Sequence, residues 1–532
     1  MAYHAATKHH FHRYARSAGH MDWANQPNPF RVYEDSPMFR LGVSDGHVAR
    51  MPYADLYAPA HEPQPLDRTT IGSFLALSLG LSAWKAAGNN RWSLRIHPSS
   101  GNLHPTECYL GIGALSSLPA GVYHYNALWH ALALRADLSS EHWSHWTSHF
   151  QGDGFWVALT SIFWRESWKY GERAYRYCNL DVGHALAALS FGARLHGWEL
   201  TCISGAGDDQ MRTLLGLDRT LFPALEEEEP DLIGWVRTGA AEKRATPRQL
   251  SEELTRPLAT TLFKGRPNPL SAERVHWPII TQAAAAARKR PTAPAPVRMI
   301  SGPFSYPPPQ RPAAVGVIRQ RRSAVRFDPA KTISADAFFS ILDRTLPRTG
   351  VPPFDVALGM PAIDLLIFVH RVQGIDPGLY WLMRSDEPVA HLRTLCRGAY
   401  AWRPLRDDWP LYLLHSGDVT VESMEVSCHQ EIAAQSAFAL AMLAPLQRAI
   451  ASEPYMYRHL HWECGMIGQA LYLEAEAQGL RGTGIGCFFD NPLTELIGLE
   501  TDTLNSLYHF TVGYALEDQR LQTLPPYHHL QK

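Results

Sequence analysis

The chain has 532 residues, 45% of them hydrophobic and 19% charged, which is too long for one ordinary domain and fits two globular domains of about 220–250 residues. The formal charge of −2 gives neither nucleic acid nor an anionic membrane a reason to bind, and no apolar run reaches the roughly 18 residues needed to span a bilayer. Seven cysteines stand singly, at 108, 178, 202, 396, 428, 464 and 487, without a CxxC pair; with no apolar signal-peptide core in MAYHAATKHHFHRYAR, this predicts a cytoplasmic protein with reduced thiols and no zinc site.

In chain order, HHFH (9–12) comes first; it has no acidic or cysteine partner in sequence and predicts no metal centre. HPSSGNLHP (97–105) is a loop of two hydroxyls, a glycine and an amide ahead of an apolar run, Cys108–Ile112, that predicts a strand. Such a loop can turn donors toward the carbonyls and ring nitrogens of a planar ligand, although a plain turn has the same composition. A long helix over Asp181–His196 carries little polar surface, which predicts burial, with His184 and His196 inside it. Gly197 can take the left-handed conformation that closes it, and Asp208 stands where the next helix needs an N-cap. EEEE (226–229) predicts a solvated run. Further on, AAAAA (283–287) predicts the end of a linker helix, and residues 288–312, with eight prolines, predict an extended connector.

RQRRSAVRFDP (319–329) then offers Arg321, Arg322 and Arg326 with Ser323, forked donors and a hydroxyl matched to phosphate oxygens; an ordinary basic helix start has the same residues. Asp364–Val369 predicts a second strand, and Glu463–Gln478 a second long helix ending at Gly479. GTGIGCFFD (482–490) leads on to Asp490, in a second N-cap position. Its glycines, including Gly486 between Ile485 and Cys487, would let the backbone approach a ligand closely, and it is not a GxGxxG turn. No GxSxG or HExxH occurs, so hydrolase chemistry has no support.

The second half repeats the first. YRYCNLDVGHALAALSFGARLHGWELTCIS, from Tyr175, lies over YRHLHWECGMIGQALYLEAEAQGLRGTGIG, from Tyr457, at an offset of 457 − 175 = 282 that holds without a gap to LLGL (214–217) against LIGL (496–499). Tyr175/Tyr457, Arg176/Arg458, Gly183/Gly465, Gly197/Gly479 and Asp208/Asp490 are among the identities, where chance gives roughly one match in sixteen. ECYLGIG…GVY (107–123) matches DLLIFVH…GLY (364–380) more weakly. A duplicated domain fused in this way reproduces a two-fold dimer interface inside one chain, with the long helices buried between the copies.

Taken together, RRSxR near a domain start, PSSGN before a strand and a GIGCF turn after a long helix are similar to the nitroreductase superfamily. More narrowly, YHAATKH…YAR…MDWANQPNPFR (3–31), PSSGNLHPTECY (98–109) and KYGERAYRYCNLDVGHAL (169–186) resemble the SagB/ThcOx dehydrogenases in tandem form, over nearly the whole chain except parts of 240–310. The resemblance implies an α+β fold of two tandem nitroreductase-like domains forming an intramolecular pseudo-dimer: residues 1–245, a Pro-rich connector at 246–312, and residues 313–532. It also implies tightly held FMN and two-electron redox chemistry; the best-known members oxidise thiazolines or oxazolines to azoles in ribosomally made peptides.

In the family's dimers one subunit supplies RRSxR and the turn after the long helix, and the other supplies PSS-N. Carried over, this assigns Arg321, Arg322, Ser323, Arg326, Ile485, Gly486 and Cys487 of the second copy, with Pro98, Ser99, Ser100 and Asn102 of the first, to one FMN site. The reciprocal site lacks both elements: PAHEPQPLDRTT (59–70) and DVALG (355–359) stand in their places. Lys169-Tyr170 resembles the pair assigned to proton handling in the azoline oxidisers, and the second copy has Ala451-Ser452 there. Aromatising a ring by hydride loss also requires removing a proton, so a base at the site is chemically expected. Three functions remain open: an FMN dehydrogenase of a peptide or natural-product intermediate, a stand-alone NAD(P)H nitro- or quinone reductase, and a non-catalytic flavin scaffold among biosynthetic-complex partners. Lys169-Tyr170 favours the first over the second, and the complete set of FMN elements counts against the third.

Overall fold

The structure is a computed structural model that describes residues 1–59, 61–239, 245–297, 299, 304–309, 312–407, 409–499 and 503–530. Residues 298, 300–303, 310 and 311 of the expected connector lie outside the described residues.

Each half builds a seven-stranded antiparallel sheet with the same strand order. The first runs, edge to edge, Met38–Arg40, Ala131–Asp137, Gly121–Asn126, Thr106–Ile112, Gly154–Ser161, Glu229–Arg237, Glu199–Cys202. The second runs Arg403–Arg406, Trp409–Ser416, Gly378–Leu382, Asp364–Val369, Phe438–Ala444, Asn505–Gly513, Arg481–Ile485. The fold is therefore α+β, two nitroreductase-like sheets with helices packed on them. The central strands are uninterrupted apolar runs because both sheet faces are covered. Successive side chains of a strand point to opposite faces, so Leu110 and Ile112 enter the shared central core while Tyr109 enters an outer core. Leu365, Ile367 and Val369 do the same in the second sheet, with Leu366 and Phe368 facing out.

Two 22-residue helices, Ala174–Leu195 and Met456–Ala477, cross between the sheets. They cross where the repeat pairs Gly183 with Gly465: a Cβ on either glycine would stand 2.8 Å from the Cα of the other. Only glycine allows this approach, so the pseudo-two-fold axis runs between those two residues. Tyr175 and Tyr457, also repeat partners, stack at 6.0 Å with an 8° interplanar angle. Gly197 and Gly479 follow the helices with φ +68° and +72°, as the left-handed cap requires.

The aspartates expected as N-caps do something else. The helices Asp208–Leu215 and Asp490–Leu496 begin at these residues, with Gly207 and Phe489 in the cap positions. The Asp490 carboxylate instead pairs with Arg176 at 2.7 Å and Arg173 at 3.1 Å across the copies, and Asp208 pairs with Arg458 at 2.9 Å. The EEEE run is solvated only in part, with Glu227 exposed. Its first and third residues are buried, Glu226 accepting from the Leu270 and Ser271 amides and Glu228 from Tyr33 and Tyr109, with buried Arg31 beside both. The partners each side chain meets in space, not composition, decide which acids face inward.

The halves exchange arms as well. Gln522–Leu524 pairs with Leu81–Ala87 of the first copy, and the N-terminal arm reaches the second copy, where the His9 amide donates to Asp490 at 2.9 Å. The alanine run ends the helix Pro278–Ala286 as expected. No helix among the described residues is long and apolar enough to cross a membrane, and no cluster of metal-ligating side chains occurs among them.

Candidate functional site

The loop at 98–102 packs against the first long helix. The Ser100 amide and hydroxyl each donate to Asp181 Oδ1 at 3.1 Å. Ser99 Oγ accepts from the His104 amide at 2.8 Å. Asn102, at φ +61°, spends its amide inside the loop, donating to Ser93 O at 3.0 Å and facing His104 Nε2 at 3.0 Å. It therefore fastens the loop, while Pro98, Ser99 and Ser100 remain half-buried at its rim.

Beneath this loop lie two buried acids. Burial raises Asp181 to about 7, against hydrogen bonds from Ser99 and Ser100 that lower it. Burial also raises Glu166, with the Asp181 charge adding to it, against the Lys169 charge and a hydrogen bond from Ser99 that lower it. A carboxyl whose folded value lies above its unfolded one destabilises the fold as it ionises, so the cost of Asp181 sets in above about pH 4 and is complete above about pH 7. Asp181→Asn keeps an acceptor for Ser100. It is expected to gain thermal stability over the wild type between pH 5 and pH 8, and equal melting temperatures at both pH values would show that Asp181 does not titrate there.

Lys169 and Tyr170 end the helix Phe163–Tyr170 and stand directly over the loop. A Cβ on Gly101 would lie 2.7 Å from Tyr170 Oη and 3.2 Å from Lys169 Nζ. Lys169 Nζ is 5.2 Å from the centre of the Tyr170 ring. Burial, then the neighbouring Glu166, holds the Tyr170 phenol well above its ordinary value. Tyr170 packs on Tyr177 at 4.5 Å, and the Tyr177 hydroxyl donates to Gly486 O at 3.1 Å. The first copy's loop and its Lys-Tyr pair are thus joined by direct contacts to the second copy's turn.

The turn itself differs from expectation in one respect. Side chains at positions 482, 484 and 486 would run into the rings of Phe510, Tyr508 and Tyr177, so these glycines make room for the protein's own aromatics. The Ile485 side chain points into the outer core of the second sheet, whereas Gly486 and Cys487 are half-buried.

Arg321, Arg322, Ser323 and Arg326 lie next along the same wall. Arg321 is buried and donates to Arg95 O and Ile96 O at 3.1 and 3.2 Å, tying the second copy to the strand before the PSSGN loop. Its guanidinium lies 5.0 Å from the Tyr472 ring, and the Tyr472 hydroxyl meets Ser323 Oγ at 2.8 Å and the Gly484 amide at 2.9 Å. Burial, followed by Arg321 and Arg481, pushes Arg322 down to about 10; its guanidinium rests on the Arg319 and Arg321 carbonyls. Arg326 is exposed. Lys85 of the first copy belongs to the same cluster and is lowered by burial and then by Arg322. The carboxylates acting on these four cations are Glu476 and Glu517. Lys85, Arg321, Arg322 and Arg481 therefore leave an excess of positive charge, which suits a phosphate. Lys85, Glu166, Tyr472 and Tyr508 had no motif to mark them, and Tyr177 and Asp181 lie inside the 169–186 segment without being singled out by it.

A cavity of about 860 Å³ lies on the other side of the pseudo-dyad, lined by Ser204, Leu358, Gly359, Ser452 and Tyr455 among others, with connector residues Thr292–Pro296 over it. Ser204 and Ser452 are the repeat partners of Gly486 and Tyr170, so this is the reciprocal position. Volume alone would place a ligand there. Its lining is rich in proline, leucine and methionine, and the buried Arg384 in it is paired with Glu463 at 2.8 Å. The cavity has buried acids of its own, Asp364 and Glu463, but the unbalanced cations, Glu166, Asp181 and the Lys-Tyr pair stand on the opposite side, which is the candidate site on chemical grounds.

The Nitroreductase family model matches residues 61–225 and 318–514, one segment in each half. A crystal structure described as a candidate nitroreductase from Anabaena variabilis superposes with a TM-score of 0.64 at 21% identity, covering 97% of this chain and 99% of that one. The trifolitoxin-processing protein TfxB of Rhizobium leguminosarum bv. trifolii is 29% identical over 180 residues, 31% of this chain; the chain spans 48% of that relative.

Proposed function

Because the chain belongs to the nitroreductase family of oxidoreductases, we propose that it is a SagB-type, FMN-dependent dehydrogenase that takes two electrons from a peptide-derived or natural-product ring, of the azoline-to-azole kind, at one composite site between its copies. The observation that carries this reading is the placement of Lys169 and Tyr170 over Gly101 and, through Tyr177, against Gly486. The likeness to a trifolitoxin-processing protein supports a peptide as substrate.

Lys85, Arg322 and Arg481, with the exposed hydroxyl of Ser323, would hold the phosphate, and the half-buried backbone of 98–102 and 484–487 would frame the ring. Bound FMN supplies the hydride acceptor. Lys169 and Tyr170 handle the proton. Tyr170 keeps its proton because burial and Glu166 oppose the phenolate, so it can donate a hydrogen bond to the substrate, and Lys169 Nζ, once its ammonium has given up a proton to become the neutral amine, would be the atom that accepts the substrate's proton. Arg321, bonded to Arg95 O and Ile96 O, would position the strand before the PSSGN loop and add its charge to the phosphate site.

Released FMN is expected to approach one per chain, since Lys-Tyr, PSSGN and the cations serve one side only; two per chain would remove the basis for a single site. Arg322→Ala is expected to weaken FMN binding by tens of fold, as charge-assisted hydrogen bonds are worth about 1.5–3 kcal/mol each. Arg68, whose guanidinium rests on Arg40 O at the start of the helix Arg68–Ser78, is the matched control, and Arg68→Ala should bind FMN as the wild type does. Unchanged affinity in Arg322→Ala would assign the phosphate elsewhere. Anaerobic titration with NADPH tests the reaction class: no bleaching of the flavin is expected for a dehydrogenase reduced by its own substrate, and rapid bleaching would make the protein a reductase.

A further inference from the structure

Five of the seven cysteines are buried, and two, Cys428 and Cys487, are half-buried with their sulfurs 2.9 Å apart. They come from separate elements. Cys487 follows the strand Arg481–Ile485, and Cys428 lies in the short loop between the helices Thr420–Val426 and Glu431–Gln435. Cys428 and His429 have φ +56° and +57°, a region that residues bearing a side chain enter at a cost. The surroundings hold them there: Gln430 Nε2 donates to Cys487 O and to Ser427 O at 2.9 Å, and the Phe489 amide donates to Val426 O at 2.9 Å. A sulfur–sulfur bond of about 2.05 Å is thus reached by a shift of about 1 Å.

The polar groups around the pair favour one thiolate and oppose two. His9 of the N-terminal arm faces Cys487 with its Nδ1 occupied by the Ala15 amide at 2.9 Å. Arg173 stands on the other side, shared with Asp490. The Cys428 thiol first, with His9 and Arg173 after it, lowers Cys487 against the effect of burial, and the thiolate so formed raises Cys428. The rim is aromatic: Phe11, His429, Phe489 and Tyr14 form one cluster, with Phe11 and Tyr14 about half exposed.

We propose that Cys428 and Cys487 are a redox-active dithiol that reduces a disulfide substrate, a second two-electron centre that does not depend on the flavin reading. The Cys487 thiolate attacks one sulfur of the substrate disulfide, forming a mixed disulfide and releasing one substrate thiolate. Cys428 then loses its proton and attacks Cys487 Sγ, forming the internal disulfide and releasing the second thiolate. Two cysteine thiols are oxidised, one substrate disulfide is reduced to two thiols, and the protons lost by the cysteines are taken up by the leaving thiolates.

The test uses the reduced full-length protein with oxidised glutathione as the probe, followed by peptide mapping without reductant. A linked peptide carrying Cys428 and Cys487, two hydrogens lighter than the dithiol, is expected, with the five buried cysteines unmodified. In Cys428→Ser the reaction should stop at a glutathione adduct on Cys487. With an aromatic disulfide reagent at pH 6, Cys487 should react at least about tenfold faster than free glutathione, as a lowered thiol value requires. Absence of the linked peptide, stable glutathione adducts on both thiols of the wild type, or reaction at pH 6 no faster than free glutathione would each overturn the proposal. None of these readouts depends on FMN.

Discussion

Lys169→Ala and Tyr170→Phe are expected to lower turnover on an azoline-bearing peptide by at least about 10²-fold, the lower end of what a positioned acid or base contributes, while flavin content and spectrum stay near those of the wild type. Both residues touch the PSSGN loop at Gly101 and neither belongs to the cationic cluster. Tyr170→Phe keeps the ring that packs on Tyr177 at 4.5 Å, so a loss of rate in that variant reports the hydroxyl. Lys169→Arg separates charge from proton transfer: it keeps a cation beside the Tyr170 ring but cannot act as a base. Activity close to wild type in Lys169→Arg would mean that Lys169 supplies only charge. Full activity of both first variants on every substrate the wild type accepts would make the pair structural. Nitroaromatic reduction is the contrast assay, since it needs no proton removed from a substrate carbon.

Asp490→Asn is expected to cost about 3–5 kcal/mol of stability, the usual result of removing one partner from a buried ion pair, measured by denaturant unfolding at pH 7. Its carboxylate holds Arg173 and Arg176 and also accepts from the His9 amide, all in buried surroundings. The symmetry-related Asp208→Asn should cost less, because Asp208 holds a single arginine, Arg458. Burial alone would raise Asp490, but Arg176 and Arg173 outweigh it and hold the carboxyl far below the usual carboxylate range. A group depressed in the folded state contributes stability above its unfolded value and loses it as pH falls, so the wild type should lose its advantage over Asp490→Asn only below about pH 4. Variants within about 1 kcal/mol of wild type at pH 7 would show that these ion pairs add little to the other contacts that hold the copies together.

The fold was legible because it was written twice. The 282-residue offset identified the long helices, and the two strands read as apolar runs are central strands at equivalent positions in their sheets. A strand covered on both faces must be apolar at every position, and a helix buried between two sheets must be apolar around most of its circumference. Such patterns survive in one dimension. Asp181 was not legible in this way, because the same helix also carries Arg176, Asn179, His184 and Arg194.

What one dimension could not carry was the partner of each polar group. Asp208 and Asp490 have the local signature of N-caps, yet arginines some 250 and 314 residues away in sequence claim their carboxylates. Glu226 and Glu228 belong to a charged run, yet Arg31 and two tyrosines make them interior. Lys85 joins Arg322 and Tyr177 meets Gly486 only because the duplicated halves fold onto one another across a shared axis, and Cys428 reaches Cys487 only through the folding of the second half itself. By itself the sequence determined the family, the duplication and the asymmetry of its motifs, since these rest on residue type and on spacing along the chain. The tertiary structure alone decided which charges are neutralised, which acids are buried and which thiols meet, because desolvation and Coulomb energy depend on distance in space, and chain separation says nothing about that distance.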